Sequence, residues 1–284
     1  MDILEEIVAH KRIEIEQQKA IIPPATLYTN VEQLLADGTQ PRRSMKESLA
    51  NSTSGIIAEF KRKSPSKGWI KEEGKPDVIP ASYSQNGASA ISILTDEKYF
   101  GGILRYIRIA RPTVTCPILR KDFIVDEYQL YQAKMVGADA VLLIAADLTK
   151  EECQNLAKKA HKLQLETLLE VHTEAELEYL NDCIDMLGVN NRNLGTFHTD
   201  VANSYRLADK LRATVGSVCG CTTATKGPLL VSESGISNPQ TVRELREAGF
   251  RGFLIGETFM KTADPGQALA DFIAQVIQPT LSIH

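Results

Sequence analysis

The feature that most constrains this 284-residue chain is a repeated alternation. From residue 55 onward, short apolar runs rich in β-formers alternate with longer amphipathic segments. Eight runs fit strands: residues 55–60, 90–94, 116–119, 140–144, 167–171, 186–189, 229–232 and 252–255. Most begin roughly 20 to 35 residues after the previous one, the length of a βα unit. The intervening segments carry helix formers, as at residues 150–163, 174–180 and 239–248. Asn238 before Pro239 makes an N-cap with proline in the first turn, and Gly249 ends the same helix. The apolar runs are near-continuous, which marks parallel strands covered on both faces. Eight such units predict an α/β fold, a single closed (β/α)8 TIM barrel. An open doubly wound sheet is the runner-up, but the GxGxxG turn it often carries is absent.

The first 50 residues do not join the alternation. Ile3, Leu4, Ile7, Val8 and Ile15 recur at helical spacing, Pro23-Pro24 stops that helix, and a second short helix fits residues 31–35. Residues 1–50 therefore read as an N-terminal helical extension covering the barrel mouth, and residues 51–284 as the barrel domain. The longest gap, between the sixth and seventh strands, contains VGSVCGCTTATKGP at 215–228, which reads as a loop insertion. Its Cys219 and Cys221 form a lone CxC without further ligands nearby, so no metal site is expected.

Composition narrows the partners. Lys and Arg number 32 against 36 Asp and Glu, a net charge of −4, so no bulk basic field exists to hold nucleic acid or an anionic membrane. The longest apolar run, Ala140 to Ala146, falls far short of the roughly 20 residues of a membrane helix. The acidic, periodic N-terminus does not resemble a signal peptide. Five scattered cysteines suit free thiols in a reducing cytoplasm.

In a barrel of this kind the site lies at the C-terminal ends of the strands. Those ends carry Glu59 and Lys61, Lys121, Glu170, Asn190 and Arg192, and Glu233. Burying so many charges costs several kcal/mol each unless they pair, so a cluster aimed at one axis points to a site. Ser234-Gly235 after the seventh strand and Gly256-Glu257 after the eighth occupy the positions where barrels bind phosphate through backbone N–H groups.

These residues carry a resemblance. The segments IIAEFKRKSPSKG (56–68), PILRKDFIVDEYQLYQAKMVGADAVLLI (117–144), LLEVHTEAEL (168–177), LGVNNRNLGTF (187–197), VSESGIS (231–237) and FLIGETFM (253–260) resemble indole-3-glycerol phosphate synthase, over nearly the whole chain. The resemblance implies a substrate, 1-(2-carboxyphenylamino)-1-deoxyribulose 5-phosphate, that is cyclised, decarboxylated and dehydrated without cofactor or metal. It implies that Lys121 is the general acid, with Lys61 on the adjacent wall supplying a cationic field that lowers its pKa. Other readings of the family give Lys61 the acid role in dehydration, and the sequence leaves that division open. Glu170 maps to the general base, Glu59 and Asn190 to groups that hold the substrate and assist dehydration, and Glu233 to a group that binds substrate hydroxyls or orients Lys121. Ser64, Ser234, Gly235, Gly256, Glu257 and Arg192 would surround the phosphate, the Glu257 side chain turned away. Phe100, Phe123, Leu142 and Leu194 would form the anthranilate slot, capped by Pro65. The loop at 62–69 would act as a lid. A monomer with no partner beyond this phosphate ester is expected.

The residues alone leave two further readings open. Lys121 at a strand end also suits a Schiff-base aldolase, and the same scaffold serves phosphate-sugar binding proteins that catalyse nothing.

Overall fold

The computed structural model describes residues 3–193, 198–218 and 227–278. Eight parallel strands close into a barrel in chain order: β1 (Ile56–Phe60), β2 (Ala90–Leu94), β3 (Ile118–Lys121), β4 (Ala140–Ile144), β5 (Glu166–Val171), β6 (Met186–Asn190), β7 (Leu229–Glu233) and β8 (Gly252–Ile255). Closure pairs β1 with β8, in the register Ile56↔Phe253, Ile57↔Leu254 and Ala58↔Ile255. Side chains alternate across each strand. Ile57, Leu119, Leu142, Leu168, Met186 and Val231 pack inside the barrel. Ile56, Ala58, Ile118, Val141, Leu169 and Leu187 pack outward under the helices. Two apolar faces on one strand produce the near-continuous runs seen in the sequence.

The strand boundaries agree with expectation within one residue except at β3. There the strand begins two residues later and runs two further, through Arg120 and Lys121. Arg120 is buried, yet its guanidinium donates to Asp122 at 2.9 Å and to the Gln129 carbonyl at 2.6 Å. A buried cation satisfied in this way reads as a loop residue in a sequence. Expected helix 239–248 is observed as Pro239–Glu247, with the Asn238 side chain accepting from Gln240 N–H. The expected helix at 174–180 is instead a 3₁₀ turn, Ala175–Tyr179. The expected loop from 215 is helical through Val218, at the end of Ala202–Val218, and Cys219 and Cys221 lie outside the described residues.

Three helices precede the barrel: α1 (Ile3–Ile21), α2 (Pro24–Asp37) and α3 (Met45–Asn51). Pro24 sits at the first turn of α2, so the proline pair that stops α1 also starts α2, which is longer than the expected 31–35. Tyr28 of α2 stacks on Tyr131 with ring centroids 3.8 Å apart. Short α3 inserts fully buried Met45 and Leu49 into the inner core. Lys11 of α1 is buried against Asp96 at 3.0 Å and Asp122 at 3.1 Å, at the C-terminal ends of β2 and β3. The loop at 62–69 is a two-stranded ribbon, Lys63–Ser64 against Gly68–Trp69. No described helix is long and apolar enough to cross a membrane.

Candidate active site

The inward face of the barrel changes character near its C-terminal end. Below, the inward positions are Ile57, Leu119, Leu168 and Val231. Two residues further along the same strands they become Glu59, Lys121, Glu170 and Glu233. These side chains line a cavity of about 500 Å³, within the range of small-molecule sites.

Lys121 is its centre. The Nζ donates to Glu170 Oε2 at 2.8 Å and to Glu233 Oε2 at 2.5 Å. Asn190 Nδ2 donates to the other oxygen of Glu170 at 3.0 Å. Lys61 Nζ donates to Glu59 Oε1 at 2.5 Å on the neighbouring wall. Gly188, two residues before Asn190 on β6, makes the cluster possible: a Cβ there would overlap Glu233 Oε1 and stand 3.1 Å from Leu168 Cδ1.

Three carboxylates face two ammonium groups, so the carboxyls do not share one fate. Burial pushes the Glu233 carboxyl up, Lys121 opposes this and the Glu170 charge adds to it. For Glu170 burial acts in the same direction, but Lys121, His172 and the Asn190 hydrogen bond outweigh it and hold the carboxyl low. Burial also disfavours the Lys121 ammonium, yet Glu170, Glu233 and Glu59 together raise its pKa above the ordinary lysine range. The expected lowering by Lys61 is therefore corrected. Lys61 is itself neutralised by Glu59, and Lys121 rests as a firmly held ammonium. That state keeps the proton on Lys121 until a substrate in the cavity draws the carboxylates away, and it opposes the neutral amine a Schiff base requires.

One end of the cavity is built for an anion. Ser234 and Gly235 both adopt left-handed backbone, φ +69° and +79°, turning the chain after β7 across the cavity wall. A Cβ at Gly235 would come 2.6 Å from Thr199 Cγ2 as well as strain the backbone. Gly256, Glu257, Arg192, Lys67 and Lys261 complete this wall. Glu257 is not turned away as expected: its side chain lines the cavity and accepts from Lys67 Nζ at 2.5 Å, so its charge is neutralised in place. Ser64 is corrected too. It is buried in the ribbon and does not line the cavity, whereas Pro65, Ser66 and Lys67 do.

The opposite end is apolar. Phe100 and Phe123 lie 6.0 Å apart between ring centroids, beside Leu142 and Ile144. Leu194 lies outside the described residues. Ile3, Leu4 and Ile7 of α1 line the same region. The sequence marks these three as the apolar stripe of a helix over the mouth, but not as site residues. Lys67 falls in the KRKSPSKG segment without standing out as a site residue either. Gly188 carries no signal, since a glycine in an apolar strand looks like filler.

A sequence model of the indole-3-glycerol phosphate synthase family matches residues 4–272. The chain is 59% identical to the indole-3-glycerol phosphate synthase of Bacteroides thetaiotaomicron, over 97% of this chain and 99% of that protein. It is 40% identical to that of Magnetococcus marinus, over 98% and 100%. Among solved structures it is similar to tryptophan synthase subunit alpha from Legionella pneumophila str. Paris. That likeness has a TM-score of 0.58 at 15% identity, covers 84% of this chain and 98% of the other, and concerns the fold alone.

Proposed function

The chain belongs to the indole-3-glycerol phosphate synthase family, and from that premise we propose how its residues divide the work. The enzyme is a carbon–carbon lyase of tryptophan biosynthesis. It converts 1-(2-carboxyphenylamino)-1-deoxyribulose 5-phosphate to indole-3-glycerol phosphate, carbon dioxide and water. The observation that carries the assignment is Lys121 Nζ, bridged between Glu170 and Glu233 in a cavity with an anion wall at one end and an aromatic slot at the other.

The phosphate lies against the backbone of Ser234, Gly235, Gly256 and Glu257, with Arg192, Lys67 and Lys261 supplying charge. The anthranilate ring lies by Phe100, Phe123 and Leu142 under Pro65. As the ring carbon bonds to the ketone carbon, the Lys121 ammonium gives its proton to the ketone oxygen, which becomes a hydroxyl. Carbon dioxide then leaves with its bonding pair remaining on the ring. In the last step the hydroxyl takes a proton from the Lys61 ammonium and leaves as water, and Glu170 removes a proton from the methylene carbon beside nitrogen. Glu59, with its partner Lys61, and Asn190 hold the substrate for that dehydration. Glu233 aims Lys121. Every group comes from one chain, which supports a working monomer. The free thiols of Cys116, Cys153 and Cys183 support a reducing cytoplasm as its compartment.

The test is turnover to indole-3-glycerol phosphate followed by fluorescence. Lys121→Ala and Glu170→Gln should each lose about 10²- to 10⁴-fold in kcat, the usual scale for a positioned acid or base. Near-normal turnover in purified Lys121→Ala would remove it as the acid. Borohydride trapping of a covalent adduct on Lys121 would replace this reading with a Schiff-base one.

A further inference from the structure

The reaction leaves a difficulty at Glu170. Its side chain is only 4% exposed, and Lys121 is the cation paired with it. Once Lys121 has passed its proton to the substrate it is neutral. A carboxylate that deeply buried then draws a proton unless another positive charge remains beside it.

His172 stands where such a charge is needed. It follows Glu170 by two residues, just beyond the end of β5. Its Nε2 lies 3.5 Å from Glu170 Oε1, the oxygen that Asn190 also contacts, away from Oε2 where Lys121 binds. Its Nδ1 lies 3.7 Å from Glu176 Oε2. Both ring nitrogens are buried without a hydrogen bond among the described residues. The backbone on either side is pinned: His172 N–H donates to Glu176 at 2.5 Å, and its carbonyl accepts from Asn203 at 3.1 Å.

Resting on the assignment of Glu170 as the base, we propose that His172 is a positioning residue: an imidazolium held between Glu170 and Glu176 that keeps Glu170 ionised after Lys121 has given up its proton. His172 transfers nothing itself. Its proton stays in place while the Lys121 proton moves to the substrate oxygen and the methylene proton moves to Glu170.

The charged groups facing the ring are Glu170 on its own strand, Glu176 on the following turn, Glu233 from β7, and Asp147 from the turn after β4. Burial opposes a charged imidazole, but Glu176, Glu170 and Glu233 outweigh it and hold its pKa above the ordinary histidine range. Asp147 has both carboxyl oxygens buried and unbonded among the described residues. Burial, with the charges of Glu170 and Glu176, pushes it up to about 8, so near pH 7 it is largely neutral.

The test is the pH profile of kcat, which reports groups in the substrate complex, for His172→Gln beside the wild type, with Glu170→Gln as a parallel variant. Removing a cation this close to a carboxylate raises the carboxyl pKa by about one unit or more. The acid limb should move toward neutral pH, with about a tenfold loss below pH 6 and less than about threefold above pH 8. A profile parallel to the wild type overturns the proposal. Should the variant fold poorly, NMR titration of the wild-type imidazole decides the matter. His172 should titrate above the ordinary value of about 6.5 and fall in Glu176→Gln; titration at or below that value in the wild type overturns the proposal. An active Glu170→Gln removes the base assignment and this inference together. An inactive Glu170→Gln with an unshifted His172→Gln leaves the base in place and removes only His172.

Discussion

At the scale of single residues, the site depends on what one glycine leaves out. Gly188 opens the space that the Glu233 carboxylate occupies beside Lys121. Gly188→Ala should displace Glu233, free one side of the Lys121 ammonium and lower kcat by at least about tenfold. The barrel interior should lose no more than the roughly 1–3 kcal/mol typical of overpacking. Steady-state kinetics beside a urea melt separates the two effects. A kcat unchanged from wild type would mean that Glu233 does not aim Lys121. The contrast with the charged residues shows what a sequence discloses. Glu59, Lys121, Glu170 and Glu233 were legible because ionisable groups stand out against apolar strands and share one position along them. Gly188 was not, because its role depends on Glu233, distant in sequence, and His172 was not, because a histidine just past a strand end between Glu170 and Glu176 looks like a loop residue until both carboxylates are seen to face its buried ring. Ser64 misled because its pairing with Gly68, which buries it in the ribbon, cannot be read from composition.

At the scale of elements, α1 is tied to the barrel through one buried lysine. Lys11 is 1% exposed and meets Glu14, Asp96 and Asp122 at 2.8, 3.0 and 3.1 Å. Lys11→Met should destabilise the protein by about 3–5 kcal/mol, because it leaves Asp96 buried without its cation and Asp122 with Arg120 alone. It should also raise KM, since Ile3, Leu4 and Ile7 reach the cavity only from a docked helix. The same joint responds to acid. Burial would raise the Asp122 carboxyl, but Lys11 and Arg120 outweigh it and hold it down to about 2. A carboxyl depressed in the folded state contributes stability that is fully present above its unfolded pKa near about 4 and lost as pH falls toward about 2. Hydrogen exchange should therefore show α1 opening across that window, and in Lys11→Met, where Arg120 alone holds Asp122 down, the dependence should be weaker. Helix α1 itself was legible from its apolar stripe. Helix α3 was not, since seven residues with two buried apolar side chains give no period to recognise. Strand β3 was placed two residues early because Arg120 looks like a boundary until Asp122 and Gln129 are seen to satisfy it.

At the scale of the whole molecule, a net charge of −4 surrounds a cavity whose lining includes Lys61, Lys67, Arg192 and Lys261. A phosphate ester is therefore attracted locally by a protein that repels anions overall. Raising salt from about 0.1 M to about 1 M shortens the screening length from about 10 to about 3 Å. KM should then rise several-fold while kcat, set by the enclosed Lys121 and Glu170, changes little. A fall in kcat of the same size as the rise in KM would contradict this division. The eightfold alternation made the barrel legible, but its closure has a meaning for biosynthesis that no single unit reveals. One edge of strand β1 is completed only by the final strand, through Phe253, Leu254 and Ile255. Lys11 in the first helix finds Asp96 and Asp122 only after β3 has been made. On the ribosome, the segments that emerge first are thus the last to be completed. A nascent chain lacking β8 carries β1 with one bare edge, and the interval before Ile255 is synthesised is when this protein is most open to mispairing with another chain.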